Sequence, residues 1–562
     1  MKWKLQARQI LKIQSIFSTI GKIIYSLRKR LMKKIFSLIF ATLLVLSLAP
    51  TAIVKAASDD KEFRVGMEAG YPPFNWTQKT NADGAVKIDG TNQYANGYDV
   101  QISKKIADKL DKKLVIVKTK WDGLLPALTS GKIDAIIAGM SPTAERKQAI
   151  DFSQNYYTSQ LVVMVKKDGK YANAKSINDF EGAKITGQQG VFHYDLIPQM
   201  TGATKEPAMG DFSAMRVALE SGTIDGYVGE RPEGITAVSK NPKFKMITFA
   251  DGKGFKTNPD DTQTAVGLKK GDKNLEDINT VLAGMSQAEQ TKTMDQMVAL
   301  QTQTTQKVGF WGQVKEILKN NGGDFVQAAG MTLFISIIGT FIGTFIGLMI
   351  GVFRTSKKSA NLAMSLLQTV VGWLINIYVE IFRGTPMIVQ AMVIYYGSAQ
   401  FLDISLDKTL AALLIVSINT GAYMSEIVRG GIFAVDKGQF EAASALGMSH
   451  GQTMRKIVLP QVIRNILPAT GNEFVINIKD TSVLNVISIT ELFFQGNTVA
   501  QQNYQYFQTF TIIAAIYFVL TFTVTRILRL VEKKLDSDNY TTGANQMQLP
   551  LEKKVVEIGG EK

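Results

Sequence analysis

The chain has 562 residues, enough for more than one domain, and carries 63 basic against 48 acidic residues, a formal net charge of +15. Ten of the basic residues lie in the first 34 positions, where there is no acid. The excess is therefore largely a targeting feature and does not predict nucleic-acid binding. Cysteine is absent, which excludes disulfides, thiolate metal sites, cysteine nucleophiles and a lipid anchor on an N-terminal cysteine. With only two histidines, we expect no metal site.

The N-terminus has the pattern of an export signal. Basic residues 28–34 precede an apolar run from Ile35 to Val54, and the small residues Ala56-Ala57 follow. We predict a signal sequence over residues 1–57, with Met32 as an alternative start. The apolar run is also long enough to remain as an anchor. In either case the chain after Ser58 is expected outside the cytoplasm.

Residues 58–305 have the pattern of a soluble α/β domain. Short strand-like runs alternate with amphipathic segments such as Val100–Leu110, which has helical spacing on its isoleucines. A second α/β unit is predicted to start near Ile177. The expected crossings between the two units are Leu161–Val165 and Thr262–Leu268.

Four motifs in this domain carry a resemblance to a known family. They are Gly97–Val100, Trp121–Leu128, Gly131–Asp134 and Ala138–Arg146. They resemble the bilobed binding proteins for polar amino acids, and the similarity extends over nearly the whole domain. The resemblance implies a bilobed α/β fold, periplasmic-binding-protein-like and of type II, that closes over one amino acid.

A bound amino acid is a zwitterion, so its site needs a cation for the carboxylate and an anion for the ammonium. Arg146 offers a planar fork suited to a carboxylate, and Ser141 with backbone N–H groups near Gly139 is expected to complete that site. The resemblance implies that Glu230 accepts the ammonium group, where the family usually has Asp. It also implies that the segment Gln189-Gly190 touches the backbone of the ligand.

The resemblance implies that Tyr71 and Trp121 sandwich the ligand and that Glu68 reads its side chain. A carboxylate at Glu68 favours ligands that donate hydrogen bonds, namely lysine, arginine, histidine or glutamine, and disfavours aspartate and glutamate. The alternatives are core packing for the two aromatic residues, a surface salt bridge for Arg146 and an exposed strand end for Glu68.

One segment departs from the family pattern. Small hydroxyl residues commonly follow the position of Gly190 in the family, whereas this chain has Val191, Phe192 and His193. Either backbone N–H groups make the carboxylate contact here, or the alignment slips by one residue. We expect His193 to be a loop residue rather than a ligand contact.

The second half of the chain has the pattern of a membrane domain. Residues 306–324 are predicted to form a linker with a short interfacial helix over Trp311–Leu318, and residues 325–535 the transmembrane domain. Glycines repeat every four residues from Gly339 to Gly351, which indicates a close helix–helix contact. The apolar segments are Phe325–Phe353, Leu362–Phe401, Thr409–Phe433, Leu459–Ile489 and Phe507–Val531.

A motif lies between the third and fourth of these segments. Glu441-Ala442-Ala443 is followed by Gly447 and then by Ile457, Leu459 and Pro460. This spacing resembles the cytoplasmic coupling loop of ABC-importer permeases, which implies a short docking helix for an ATPase. We expect Glu441 near a helix start, a flat face at Ala442 and Ala443, and a tight bend at Gly447.

Parity then sets the number of spans. Because the binding domain is outside and the coupling loop is inside, an odd number of spans must separate them. Leu362–Phe401, interrupted by Arg383-Gly384-Thr385-Pro386, is therefore one broken helix, and the expected total is five spans of an all-α ABC type I permease. Basic clusters at Arg354–Lys358, Arg429–Arg464 and Arg526–Lys534 then fall in the cytoplasm, as does the polar tail, residues 536–562.

Several polar residues lie inside the predicted spans. Asn419, Glu426 and Glu473 either line a passage or second substrate site, or form interhelical pairs. Both interpretations are open at the level of sequence.

The chain contains no Gly-x-x-x-x-Gly-Lys-Ser/Thr motif, so it is not expected to hold ATP itself. The sequence therefore predicts the binding and permease subunit of an amino acid importer, which is not an enzyme, in the lipid of the plasma membrane. The implied partners are a polar amino acid, a dimer of ATPase subunits that holds ATP and magnesium, and a second copy of the chain. The alternative is a ligand-binding receptor or ligand-gated channel with the same bilobed domain.

Overall fold

The computed structural model describes residues 61–301 and 309–535. The predicted signal over residues 1–57, residues 306–308 of the predicted linker and the predicted tail over residues 536–562 lie outside these ranges.

The first lobe, residues 61–158 and 263–301, is built on a five-stranded sheet. Its strands are β1 (Glu62–Met67), β6 (Lys113–Lys118), β7 (Ala135–Ile136), β8 (Asp151–Thr158) and β14 (Gln263–Leu268), in the spatial order β6-β1-β7-β14-β8. β1 pairs in parallel with β6 and β7, whereas β14 runs antiparallel to β7 and β8. Four helices pack on this sheet: α1 (Tyr98–Lys109), α2 (Trp121–Thr129), α3 (Ala144–Ala149) and α7 (Leu275–Ala283). A further helix, α8 (Gln287–Gln301), packs on α1.

A small antiparallel sheet completes the first lobe. It contains β2 (Gly70–Tyr71), β3 (Asn75–Gln78), β4 (Val86–Lys87) and β5 (Tyr94–Asn96), in the order β2-β3-β5-β4. α1 begins directly after β5, and its predicted apolar face is buried through Ile102 and Ile106.

The second lobe, residues 161–247, has its own five-stranded sheet in the order β11-β10-β12-β9-β13. The chain enters it at β9 and returns to the first lobe at β14, where the sequence predicts the two crossings. Its elements are β9 (Leu161–Lys166), β10 (Lys184–Thr186), α4 (Phe192–Asp195), β11 (Thr204–Lys205), α5 (Phe212–Ser221), β12 (Gly226–Glu230), α6 (Arg231–Lys240) and β13 (Phe244–Ile247).

The rest of the described chain is helical. Its helices are α9 (Phe310–Thr355), α10 (Leu362–Gly384), α11 (Met387–Leu402), α12 (Lys408–Phe433), α13 (Lys437–Ala445), α14 (His450–Thr453), α15 (Leu459–Asp480), α16 (Leu492–Asn503) and α17 (Tyr506–Leu535). The prediction of a separate interfacial helix over Trp311–Leu318 is wrong, because these residues are the first turns of α9, a continuous helix of 46 residues. No helix-breaking residue separates them from the apolar part: Gly322 and Gly323 are tolerated within the helix.

Four helices among the described residues are long and apolar enough to cross a membrane: α9, α10, α12 and α17. α11, with 16 residues, is too short to be counted alone, and α15 carries Arg464, Glu473, Lys479 and Asp480 in its 22 residues. The number of crossings therefore depends on how these two helices are counted.

The predicted break in the second segment lies between α10 and α11, at Thr385 and Pro386. The side-chain amide of Gln390 donates to the backbone oxygens of Phe382 (3.0 Å) and Thr385 (2.9 Å). It thus provides partners for carbonyl groups that the helix end leaves without intrahelical bonds, which is necessary where no water is available.

The repeated glycines of α9 form the predicted close contact, and the partner is α12. A Cβ atom at Gly339 would lie 2.5 Å from Val416, and one at Gly343 would lie 2.6 Å from the Cβ of Thr420. Such distances leave no room for a side chain, so glycine permits this separation of the two helices.

We therefore expect Gly343→Val to destabilise the membrane domain by about 1–3 kcal/mol, the usual cost of overpacking. The matched control is Gly330→Val in the same helix, where nothing lies within 4 Å of the added Cβ. Thermal unfolding of the detergent-solubilised chain compares the two variants. Equal stability of both would contradict the packing constraint.

Candidate functional site

Arg146, at the start of α3, bridges the two lobes. One guanidinium nitrogen donates to the backbone oxygen of Ser141 in the first lobe (2.9 Å) and another to that of Gly190 in the second (2.8 Å). The guanidinium carbon lies 5.2 Å from the ring centre of Trp121. Burial lowers the pKa of Arg146 to about 10, so the group remains a cation at neutral pH. The lobes are thus closed on a fixed positive charge.

The loop around Gly139 is held by a chain of buried hydrogen bonds. Gly139 donates its N–H to the hydroxyl of Tyr156 (3.1 Å), which donates to Asp99 (2.8 Å), and Asp99 also accepts from Asn75 (2.7 Å). The expectation for this loop therefore needs a correction, because the N–H of Gly139 itself is already used. Ser141 is buried and lies beside Arg146, as predicted.

Tyr71 lies inside the cleft and contacts both lobes. Its ring stacks on Phe74 at 5.2 Å and on Phe212 of the second lobe at 4.8 Å. A Cβ atom at Gly139 would lie 3.2 Å from the ring. Tyr71 thus packs against aromatic residues of both lobes, as in the alternative of core packing, and the sequence did not identify Phe212 as its partner.

Glu230 ends β12 in the second lobe and is 2% exposed. The hydroxyl of Tyr71 donates to its Oε2 (3.3 Å), and Nε2 of His193 lies 3.6 Å from its Oε1. The expectation that His193 is a loop residue is wrong: it is buried in the short helix α4, beside Glu230. The chain turns after Gly190, and α4 directly follows this turn, which places His193 beside Glu230.

Glu68, directly after β1, is half-buried. Desolvation, and then the nearby charge of Asp211, raise the pKa of Glu68 to about 8, although a hydrogen bond from Gln188 opposes the shift. Asp211 and Gln188 belong to the second lobe, so Glu68 faces the opposite side of the cleft.

The sequence predicts that Gln189 touches the ligand, but the structure does not place its side chain among the cleft residues described above. Its side chain is exposed and its N–H donates to the oxygen of Met209 (2.8 Å). The neighbouring Gly190 has a φ of +68° and accepts from Arg146, so this glycine makes the contact between the lobes.

The first lobe rests on the helical domain through two buried lysines. Lys118 donates to the hydroxyl of Thr498 in α16 (2.8 Å) and lies over the ring of Phe494 (5.2 Å). Lys132 donates to the backbone oxygen of Leu406 (3.3 Å) and lies 3.6 Å from the ring centre of Tyr395. Neither lysine was identified from the sequence.

The second lobe rests on the turn between α16 and α17. The hydroxyl of Tyr506 donates to that of Ser213 (2.7 Å), and the guanidinium of Arg216 lies 4.5 Å from the ring centre of Tyr504. Glu233 holds Arg216 from the other side through bonds of 2.6 and 3.0 Å. Both lobes therefore contact residues 494–506 of the helical domain, and the first lobe also contacts Tyr395 and Leu406.

Two of the three polar residues predicted inside the spans form pairs. Glu426 of α12 binds Arg354 of α9, and also Arg429 through bonds of 2.7 and 2.9 Å. Asn419 donates to Gln390 (3.0 Å) beside the break between α10 and α11. Glu473 is half-buried on α15. The alternative of interhelical pairing thus describes Glu426 and Asn419.

The predicted coupling loop folds as two short helices, α13 and α14. Gly447 turns the chain between them with a φ of +72°, as the motif predicts. Two details differ: Glu441 lies in the middle of α13 rather than near its start, and Ala443 is buried. The exposed surface includes Glu441, Ala442 and Leu446, which is 79% exposed.

Comparison with known proteins agrees with this division. Bacterial extracellular solute-binding proteins, family 3, match residues 63–298, and the binding-protein-dependent transport system inner membrane component matches residues 343–537. The glutamine transport system permease protein GlnP of Escherichia coli (strain K12) is 36% identical over 219 residues, 37% of this chain and 92% of that protein. The arginine transport system permease protein ArtQ of Bacillus subtilis (strain 168) is 39% identical over 167 residues, 30% of this chain and 76% of that protein.

A solved structure also aligns with the first half of the chain. It is an amino acid ABC transporter substrate-binding protein from Streptococcus pneumoniae bound to L-arginine, 23% identical, with a TM-score of 0.38. The alignment covers 45% of this chain and 100% of that chain.

The fold and these matches define a class of protein: a multi-pass permease of the cell membrane that carries its own extracytoplasmic substrate-binding domain. The chain belongs to the family of binding-protein-dependent amino acid ABC permeases. It is a transporter subunit and not an enzyme.

Proposed function

We propose that this chain captures a polar amino acid with a hydrogen-bond-donating side chain and passes it through the membrane in an ATP-driven importer. The observation that carries the proposal is the closed cleft. A half-buried cation, Arg146, and a buried anion, Glu230, lie in one cleft with aromatic rings between the lobes. A zwitterion has the complementary pair of charges.

Each end of the ligand has a partner in this proposal. Arg146 uses two N–H groups to hold the closed lobes, and its remaining N–H groups bind the ligand carboxylate together with Ser141 and Gly190. Glu230 accepts the ammonium group, and Tyr71 orients Glu230 through its hydroxyl. In a cleft that excludes water such contacts are strong.

The side chain of the ligand meets Glu68 and Trp121. A carboxylate accepts hydrogen bonds from lysine, arginine, histidine or glutamine and repels aspartate and glutamate. The names of the relatives, a glutamine and an arginine transport system permease, support this range.

We propose five membrane crossings: α9, α10 with α11 as one broken helix, α12, α15 and α17. Contacts with the binding domain support this count, because they mark the outer ends of the helices. Asp324 in α9 pairs with Lys79 (3.0 Å), Leu406 before α12 accepts from Lys132, and Tyr506 at the start of α17 contacts Ser213. The segments between α9 and α10 and between α12 and α15 then face the cytoplasm.

The exposed face of α13 around Glu441 and Ala442 is the proposed docking surface for a separate ATPase, which holds ATP and magnesium. Ala443 supports that face from beneath, and Gly447 sets the angle to α14. Five crossings form half of a symmetric pathway, so we propose a homodimer of this chain on an ATPase dimer. Glu473 is the remaining candidate for the pathway, while Asn419 and Glu426 stabilise the helices beside it.

Transport in sealed vesicles tests the proposal. Vesicles that carry the chain and its ATPase should accumulate labelled glutamine, arginine, lysine or histidine, but not glutamate, against a gradient and with ATP hydrolysis. A ligand-gated channel, the alternative, would give a conductance on ligand addition without ATP. That result, or accumulation of glutamate alone, would contradict the importer.

The pH dependence of binding tests Glu68. Because its pKa is raised to about 8, Glu68 is mostly protonated at pH 6 and becomes the anion that a cationic side chain needs as pH rises through 8. We expect the affinity for arginine to increase roughly tenfold per pH unit below pH 8, as linkage to one proton requires. Calorimetry should show this slope for the unaltered chain and a flat profile for Glu68→Gln. Equal slopes in both would contradict the role of Glu68.

A further inference from the structure

A cavity lies where the first lobe, the second lobe and α16 of the permease meet. Its volume is about 80 Å³, several times the 10–15 Å³ that one water needs. It is therefore large enough for the polar end of a side chain. Its lining includes Glu68, Lys118 and Trp121 from the first lobe, Asp211 from the second, and Asn497 and Gln501 from α16.

Lys118 gives this cavity a fixed donor. Its side chain is 7% exposed, and its ammonium group donates to the hydroxyls of Thr77 (3.0 Å) and Thr498 (2.8 Å). An ammonium group has three N–H donors, so one is left for a group in the cavity. Burial lowers the pKa of Lys118 to about 7, although the nearby charge of Glu68 opposes the shift, so this third N–H is available when Lys118 is protonated.

Glu68 gives the same cavity a fixed acceptor. It borders the cavity and the amino acid cleft together with Trp121, whose ring lies under Arg146. A ligand side chain that reached Glu68 from the cleft would therefore meet a donor and an acceptor at the same time. Lys120 and Asp122 also border the cavity, where solvent screens Asp122 because it is exposed.

We propose that this junction cavity is a second contact site for the substrate side chain, completed by the permease, and that it selects an uncharged carboxamide. The proposal rests on the proposed function of the cleft. A carboxamide has a C=O for Lys118 and an NH₂ for Glu68. A guanidinium or ammonium group offers no acceptor to the N–H of Lys118, and a carboxylate offers no donor to Glu68, so each leaves one of these groups without a partner and binds more weakly than a carboxamide.

Residues of the permease also line the cavity, so the proposed selection of the side chain extends to the transfer of the substrate to the permease. Asn497 and Gln501 present amide groups on the opposite wall of the cavity, and each offers a donor and an acceptor. Gln501 is held against the first lobe, because a Cβ atom at Gly70 would lie 2.6 Å from its Cδ. The side chain of the substrate thus meets α16 before its charged groups leave the clamp.

The test is displacement of labelled L-glutamine from the full chain in lipid nanodiscs by unlabelled L-glutamine and L-arginine. We expect arginine to be the weaker competitor by about tenfold or more, the effect of one hydrogen bond to a charged group. Lys118→Met should weaken glutamine binding about tenfold and remove the preference, by loss of that bond. Asn497→Leu, which leaves the binding domain unaltered, should lower the preference in the same direction.

Lys132→Met is the matched control. Lys132 is also 7% exposed and also lies between the first lobe and the permease, but it contacts Tyr395 and Leu406 instead of the cavity. Its loss should leave the preference for glutamine unchanged. Three results would overturn the cavity proposal alone. They are an equal change of the preference in the two lysine variants, an unchanged preference in Lys118→Met or in Asn497→Leu, and a preference for arginine in the unaltered chain. A chain that binds neither amino acid would overturn the proposed function and the cavity proposal together.

Discussion

Replacing Arg146 with alanine is expected to abolish amino acid binding, with a loss of affinity of at least about a hundredfold. The guanidinium is the cation of the cleft, and charge-assisted hydrogen bonds of this kind each contribute about 1.5–3 kcal/mol. The variant also loses the bonds to Ser141 and Gly190 that join the closed lobes. Calorimetry of the solubilised chain against glutamine and arginine measures the effect.

Two further variants distinguish the specific contacts of the Arg146 guanidinium from the effect of positive charge alone. Arg146→Lys keeps the positive charge without the planar fork, so its affinity should lie between those of the unaltered chain and the alanine variant. Lys147→Ala removes the neighbouring cation, which pairs with Asp260 at the surface (2.5 Å), and should leave binding unchanged. Micromolar binding retained by a folded Arg146→Ala variant would rule out Arg146 as the group that binds the ligand carboxylate.

The positions of Ser141 and Arg146 relative to each other were predictable because they belong to one short motif. Ser141, Thr143 and Arg146 lie within six positions, and the side chain of Thr143 caps α3, which starts at Ala144, by accepting the N–H of Arg146. Local geometry therefore decides where the guanidinium lies. The same reasoning applies to Gly447, whose left-handed turn follows directly from a glycine between two short helices.

Contacts between lobes and between domains were not predictable in this way. Phe212 meets Tyr71, and His193 meets Glu230, only because the two lobes are closed. Lys118 is buried because α16 covers it. No spacing along the chain encodes these distances, since each depends on the relative orientation of bodies that fold separately. A buried lysine at the end of a strand indicates that another part of the protein covers that surface, but this burial is visible only in the structure.

Helix continuity and helix position were also misjudged in two places. The apolar pattern begins near Phe325, yet α9 begins at Phe310, because polar residues extend a helix on the side that faces the binding domain. Glu441 was expected in the first turn of its helix, but Asp436 is the N-cap and accepts from Gly438 (2.7 Å). The N-cap residue, five positions upstream of Glu441, thus determines where the helix begins and where the positive end of its dipole lies.

The bend at Gly447 provides the second large effect. Gly447 has a φ of +72°, where a β-branched residue is strongly disfavoured, although nothing lies within 4 Å of an added Cβ. Gly447→Val should therefore change the angle between α13 and α14 without any steric clash. We expect ATP-driven uptake to fall at least about tenfold, since about 1–2 kcal/mol of left-handed strain acts against the docked arrangement, while amino acid binding stays unchanged.

Gly451→Val is the matched control, because Gly451 also has open space around it but lies within α14 without a positive φ. It should transport as the unaltered chain does. Glu441→Gln tests the same surface by charge: the side chain is exposed on α13, so its loss should lower uptake and ligand-stimulated ATP hydrolysis together. Because the proposed five crossings put the binding domain on the opposite side of the membrane from these residues, none of the three variants should alter affinity. Full uptake by Gly447→Val, or equal loss in both glycine variants, would show that this bend does not couple the permease to its ATPase.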